Sequence, residues 1–159
     1  MGMADAFIAT ADDPSAVYYN PAGLTTLGRT ELAGNLYLAH SRVDYDGPGG
    51  EDASNGRYYL IPNLYLGTPL GQGGKWFAGV GAYSPFGLGS RWGADSPVAP
   101  YSTLSEVTMV NVNPAIAYSV GNSLALGVGI DYFLSRTVSR RIDAATGSEL
   151  ELSGDGQGW

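Results

Sequence analysis

Residues 110–120 read Val-Asn-Val-Asn-Pro-Ala-Ile-Ala-Tyr-Ser-Val. Val110, Val112, Pro114, Ile116, Tyr118 and Val120 fall on one parity, while Asn111, Asn113, Ala115, Ala117 and Ser119 fall on the other. Successive side chains of a strand point to opposite faces, so this spacing describes a half-buried β-strand rather than a helix. After the short break Gly121-Asn122-Ser123 the pattern resumes. Leu124, Leu126, Val128, Ile130, Tyr132 and Leu134 oppose Ala125, Gly127, Gly129, Asp131, Phe133 and Ser135.

The same period runs backwards through the chain. Trp76, Ala78, Val80 and Ala82 alternate with Phe77, Gly79, Gly81 and Tyr83; Tyr58, Leu60, Pro62, Leu64 and Leu66 alternate with Tyr59, Ile61, Asn63, Tyr65 and Gly67. Leu32, Leu36 and Leu38 begin it. The expected strands are 30–43, 58–69, 76–86, 104–120 and 123–139. Residues 1–29 differ: they are alanine-rich and weakly periodic, with Asp13 placed as a helix N-cap, Pro14 at a first helical position and Asn20-Pro21-Ala22-Gly23 as a turn.

Two features point to a membrane. The polar face carries Asn, Ser, Asp, Gly and Tyr but few of the Lys and Glu that usually dress the wet face of a soluble sheet. The apolar face carries aliphatic residues along its middle, with Tyr58, Trp76, Tyr118 and Tyr132 towards its ends, as in an interfacial girdle. Connections also alternate in length: Leu70–Lys75 and Gly121–Ser123 are short, whereas Asp44–Arg57, Gly87–Thr103 and Arg140–Gln157 are long and polar. An up-and-down barrel has short turns on one side and long loops on the other. A soluble β-sheet module that binds lipid or serves a structural role is the alternative, and it leaves the alternation of loop lengths without a cause.

Composition narrows the function. The 159 residues are 14% charged, against about a quarter in a typical soluble domain. They include 24 glycines and 11 tyrosines, and mean hydropathy is −0.04. A net charge of −7 leaves no basic footprint for nucleic acid. With no cysteine and the single histidine His40, thiolate and His-based metal sites are not expected, nor is any cofactor. Gly-x-Ser-x-Gly does not occur, and Asp12-Asp13 reads as capping rather than as a catalytic pair, so no enzyme is expected. No run approaches the ~18 apolar residues of a transmembrane helix, and the opening residues do not form a signal peptide. Five strands, with a sixth starting near Gly158-Trp159, cannot close a bilayer-spanning barrel, since the smallest have about eight. The expectation is the N-terminal part of a longer barrel protein.

Ala11–Arg29, ADDPSAVYYNPAGLTTLGR, resembles the amino-terminal plug of the outer-membrane long-chain fatty acid transporter family, which also includes porins for aromatic hydrocarbons such as toluene. The matching features are Asp12-Asp13, Pro14-Ser15-Ala16 and Asn20-Pro21-Ala22. They are followed in order by Ile61-Pro62-Asn63, Tyr83–Leu88, Asn111–Tyr118 and Leu124–Tyr132. The resemblance implies a fourteen-stranded transmembrane antiparallel barrel in the bacterial outer membrane, monomeric, with residues 1–29 as plug and 30–159 as the first part of the wall. It implies passive uptake of long-chain fatty acids or other hydrophobic molecules, past lipopolysaccharide and outer-membrane lipid, with sideways exit at a kink in the third strand. That kink would fall at Ser84, Pro85, Phe86 and Gly87. A plain strand end at Pro85 fits the residues equally.

Asn20, Pro21 and Ala22 would then face the wall opening, or else form a turn that locks the plug to the first strand. Tyr37, Tyr65, Phe77, Tyr83, Met109 and Phe133 share the inward parity and are candidate ligand contacts, or packing against the plug. Asn63, Asn111, Asn113 and Asp131 would hold plug backbone groups by hydrogen bonds.

Overall fold

A computed structural model describes residue 8 and residues 10–71, 73–121 and 123–159. Residues 1–7 and 9, within the expected plug segment, and Gln72 and Asn122, within the two short turns, lie outside the described residues. The strands are β1 (Glu31–Ser41), β2 (Asp44–Gly47), β3 (Gly50–Ala53), β4 (Arg57–Leu70), β5 (Trp76–Tyr83), β6 (Gly87–Arg91), β7 (Leu104–Ser119), β8 (Ala125–Gly129), β9 (Tyr132–Ile142) and β10 (Glu149–Gly158). One antiparallel sheet runs in the order β1-β4-β5-β7-β9-β10, with β6 and β8 also paired to β7. It is an open sheet of six up-and-down rows, because β5 with β6, and β8 with β9, each continue a single row.

The row β8–β9 is interrupted at Ile130-Asp131 without a change of register. The cause is Pro114 opposite it. Its carbonyl accepts from the Ile130 N–H at 3.0 Å, but proline has no N–H to return.

Alternation became orientation as the residue pattern requires. Leu36, Leu60, Leu126 and Val128 on the apolar face are between 57% and 63% exposed, and among the described residues no second layer covers them. A soluble sheet leaving that much aliphatic surface in water would be an aggregation hazard, whereas a bilayer demands it. Trp76 and Tyr118 lie 4.6 Å apart beside the short turns, and Tyr58 meets His40 at 4.6 Å at the long-loop end. No helix among the described residues is long and apolar enough to cross a membrane.

The opposite, inner face is covered by the N-terminal segment. An α-helical turn, α1 (Ala16–Tyr19), is followed by a 3-10 helix at Pro21–Thr26. The expected cap at Asp13 lies two residues ahead of the N-cap: its carboxylate accepts from the Ser15 N–H (2.7 Å) and hydroxyl (2.6 Å), and Ser15 stands at the N-cap. Ala16, Val17, Leu24 and Leu27 form the core with Phe77, Ala115 and Ala117 of the wall.

Three stretches expected as loops carry strands. Asp44–Ala53 folds into the β2–β3 hairpin, turned by Gly49 and Gly50 at positive φ. Gly87–Arg91 is β6, aligned by β7. Glu149–Gly158 is a complete sixth row rather than the end of a long loop, so the last connection shrinks to 143–148. Arg140 draws in Glu149 (3.5 Å) and Glu151 (2.8 Å) across β9 and β10, which fixes their register.

In that short turn the Asp143 carboxylate accepts from the Ala145 N–H (2.9 Å) and the Thr146 hydroxyl (3.0 Å). These bonds hold its pKa below the ordinary 3.8. A depressed carboxylate contributes its stability above the unfolded value and loses it as pH falls through the folded one. Thr146→Ala should therefore move the Asp143 titration, followed by NMR, up towards 3.8. An unmoved titration would remove the hydroxyl from the cause.

Candidate functional site

The third row is where the regular ladder fails. Tyr83 of β5 pairs with Asn111 of β7, and Gly87 of β6 pairs with Thr108. The chain takes four steps while β7 takes three, so Ser84–Phe86 holds one extra residue, a bulge. Sequence explains the place: Pro85 cannot donate to a ladder, and the Ser84 hydroxyl reaches the Met109 carbonyl at 2.6 Å instead. Met109 N–H is satisfied by the Phe86 carbonyl at 2.9 Å.

The bulge opens the other side of the row. β5 pairs with β4 only from Asn63 to Leu70, and β6 ladders with β7 alone. Residues 57–62 of β4 therefore lack a ladder partner on that side, although β6 comes close to both β4 and β1. Asn63 marks the lower edge of this gap. Its Oδ1 accepts from the Ser84 N–H at 3.2 Å, and its Nδ2 donates to Asn35 at 2.7 Å. In hydrocarbon, unpaired backbone costs several kcal/mol per group unless it lines a cavity or is covered.

Cavities do flank the gap. On the inner face a space of about 320 Å³ is lined by Tyr18 and Tyr19 of the N-terminal segment, Asn35 and Tyr37 of β1, and Tyr65, Tyr83 and Pro85. On the apolar face a groove of about 370 Å³ is lined by Leu60, Pro62, Leu64, Ala82, Gly87 and Val110. Asn63, Tyr83 and Ser84 belong to both.

Behind the inner cavity stands a polar cluster. Asp131 Oδ1 accepts from the Tyr83 hydroxyl (2.9 Å), Asn113 Nδ2 (2.7 Å) and Asn111 Nδ2, which also donates to the Tyr83 oxygen. The Tyr83 ring stacks on Tyr65 at 5.8 Å and meets Tyr18 edge-on at 4.9 Å.

The sequence candidates separate accordingly. Tyr37, Tyr65 and Tyr83 come together in the inner cavity, whereas Phe77 packs into the N-terminal core and Met109 and Phe133 do not line the cavity. Ser84–Gly87 forms the bulge, and Ser84, Pro85 and Gly87 line one or other cavity. Asn20-Pro21-Ala22 is not at the gap. Asn20 donates to the Ile8 carbonyl at 3.2 Å, and Pro21 and Ala22 lie over Gly127 of β8, beside the short turns. Asn63, Asn111, Asn113 and Asp131 hold the wall together rather than the plug backbone. Tyr18, Tyr19 and Asn35 escaped sequence reading; the inward parity of Asn35 was available as a signal, but the N-terminal segment has no period to place its tyrosines. Among the described residues no three His, Asp or Glu side chains are grouped to hold a metal ion.

Residues 1–150 match the model of the family described as Outer membrane protein transport protein (OMPP1/FadL/TodX). The chain belongs to this family. It is 27% identical over 150 residues to the Long-chain fatty acid transport protein of Escherichia coli O6:H1, covering 89% of this chain and 33% of that protein. It is 25% identical over 145 residues to Outer membrane protein P1 of Haemophilus influenzae, covering 77% and 31%.

Two solved structures share the fold. A FadL homologue of Pseudomonas aeruginosa gives a TM-score of 0.67 at 16% identity, over 92% of this chain and 42% of that one. The Pseudomonas putida toluene transporter TodX gives 0.63 at 16% identity, over 91% and 46%. The chain thus spans about a third of the curated relatives' length, and it belongs among outer-membrane β-barrel proteins.

Proposed function

We propose that this chain is the plug-bearing front of a barrel that takes up hydrophobic molecules, long-chain fatty acids or aromatic hydrocarbons, and releases them sideways through the gap between β4 and β6. The observation that carries this reading is the sharing of Asn63, Tyr83 and Ser84 by the tyrosine-lined inner cavity and the groove on the bare apolar face. A hydrophobic molecule gains about 0.8 kcal/mol per methylene buried on leaving water. An aqueous pore gives it no such gain, while a path from inner cavity to lipid never returns it to water. Residues 10–27 act as the plug, closing the inner face to solutes, and transport is passive. The relatives' names support the substrate class: a long-chain fatty acid transport protein and a toluene transporter. The intact protein works as a monomer, surrounded by lipid and lipopolysaccharide.

Gly87 supplies the test. A Cβ there meets only the Ser84 hydroxyl oxygen at 3.4 Å, an ordinary contact, so larger residues fit the backbone and fill the groove. In the intact protein, Gly87→Val and Gly87→Trp should lower uptake of labelled fatty acid or toluene. Roughly tenfold is expected for tryptophan, equivalent to about 1.4 kcal/mol on the barrier. The folded, heat-modifiable gel mobility should be unchanged. Normal uptake by a folded Gly87→Trp barrel would eliminate lateral release here.

A further inference from the structure

The rim of the gap at the long-loop end is built from side chains, unlike the backbone ladders on either side of it. The Tyr59 hydroxyl donates to the Gly89 carbonyl at 3.1 Å, crossing from β4 to β6. Arg57 Nη1 donates to Glu106 Oε2 at 3.0 Å, crossing from β4 to β7. The guanidinium also lies 5.6 Å from the centre of the Tyr59 ring, which couples the two contacts. Further out, the Asn55 N–H meets the Arg91 carbonyl at 2.8 Å and pins the end of β6. Between this rim and the Asn63–Ser84 edge no ladder bond joins β4 to β6 among the described residues.

We propose that Arg57, Tyr59 and Glu106 form a latch that sets the width of the gap, and thereby the bulk of the molecule that passes through it. The inference rests on the lateral-release reading and assigns it size-determining residues. Two properties fit a latch. The Arg57 and Glu106 side chains are 39% and 33% exposed, so water can replace either partner when the pair separates, and opening does not strand a buried charge. Gly89 leaves Tyr59 room: a Cβ there would sit 3.1 Å from the tyrosine oxygen and 2.5 Å from the Ser105 carbonyl oxygen, so the close approach needs glycine. A slim chain fits the existing gap, while a broad molecule has to displace these contacts.

The test compares uptake of a straight-chain fatty acid with that of a polycyclic hydrocarbon by the intact protein in outer-membrane vesicles. Both variants keep shape: Tyr59→Phe removes the bond to the Gly89 carbonyl, and Glu106→Gln removes the charge from the pair with Arg57. Each should raise the polycyclic-to-straight-chain uptake ratio by about threefold, within the range of one modest hydrogen bond. Exchanging the charges, Arg57→Glu with Glu106→Arg, should return the ratio towards that of the unaltered protein, which a loss of general wall stability would not do. An unchanged ratio in the folded Tyr59→Phe/Glu106→Gln double variant, with Gly87→Trp still blocking both molecules, overturns the latch and leaves lateral release standing. If Gly87→Trp blocks neither molecule, both proposals fall.

Discussion

Gly127→Val is expected to detach the N-terminal segment from the barrel wall. A Cβ at Gly127 would lie 2.2 Å from the Ala22 nitrogen and 2.5 Å from the Pro21 carbonyl carbon. Both are backbone atoms at the start of the 3-10 helix, where the proline ring fixes φ, so no side chain can swing aside to make room. β8 cannot retreat either, because it is laddered to β7 from Ala125 to Gly129. Overpacking of this kind costs about 1–3 kcal/mol. If the segment lifts, Val17 and Leu24 lose their burial as well, at about 2 kcal/mol each.

The same tightness recurs at Gly79, whose Cβ would meet Val17 Cγ2 at 2.5 Å, but there the obstacle is a side-chain methyl. Gly127 is therefore the stricter position. The measurement is limited proteolysis of the intact protein in detergent, with planar-bilayer conductance as a second readout. Residues 10–27 should become cleavable and conductance should rise. Gly154→Ala, where a Cβ has open space, should leave both unchanged. A Gly127→Val segment as protected as the unaltered one would refute the docking.

That the wall was legible while its supports were not has a physical cause. Hydrophobic period marks a strand whose face is exposed to lipid, and Val110–Val120 and Leu124–Leu134 carry it undiluted. β10 does not: Gly154-Asp155-Gly156-Gln157 has neither period nor propensity. It is a strand because β9 offers a ladder edge, supported by Arg140 with its two glutamates and the Tyr132 hydroxyl on Gln157 at 3.0 Å. β6 follows the same rule, taking its register from β7.

In the site, parity separated inward from outward but could not give height along the barrel. Tyr37, Tyr65 and Tyr83 meet at one level, while Phe77 shares their parity and sits lower, against Leu24 and Val17. Pro85 falls within the bulge at Ser84–Phe86, and only the β4 register shows that residues 57–62 lack a ladder partner on that side while β6 stays laddered to β7. The Asn20-Pro21-Ala22 triplet is the instructive miss. A conspicuous motif invited a role at the opening, whereas the residues serve the backbone-to-backbone contact with Gly127, and the plain Tyr18-Tyr19 pair beside it faces the gap.

Asp131→Ala should destabilise the barrel by about 3 kcal/mol, because it takes the shared acceptor from three inward donors and leaves the Tyr83 hydroxyl and Asn113 Nδ2 without one, while Asn111 Nδ2 keeps only the Tyr83 oxygen. Leaving a buried donor unpaired costs about 1–3 kcal/mol, and Asn111 and Asn113 are only 1% and 4% exposed. Asp131→Asn keeps an oxygen at that point and should cost less than half as much. The urea midpoint of the intact protein in micelles reads both.

The structure also orders a double variant. If the cost comes from stranded donors, Asn111→Leu in the Asp131→Ala background should relieve part of it, since removing both members of a buried polar pair costs less than removing one. A purely steric role for Asp131 predicts the reverse, with the two losses adding. The same substitution frees the Tyr83 hydroxyl and lets the ring leave its place between Tyr65 and Tyr18. Since Tyr83 belongs to both cavities, Asp131→Ala should lower uptake even under conditions where the barrel remains folded. Asp131→Asn should retain uptake, as its oxygen still receives the tyrosine proton. Equal uptake by the folded alanine variant would confine the cluster to holding the wall.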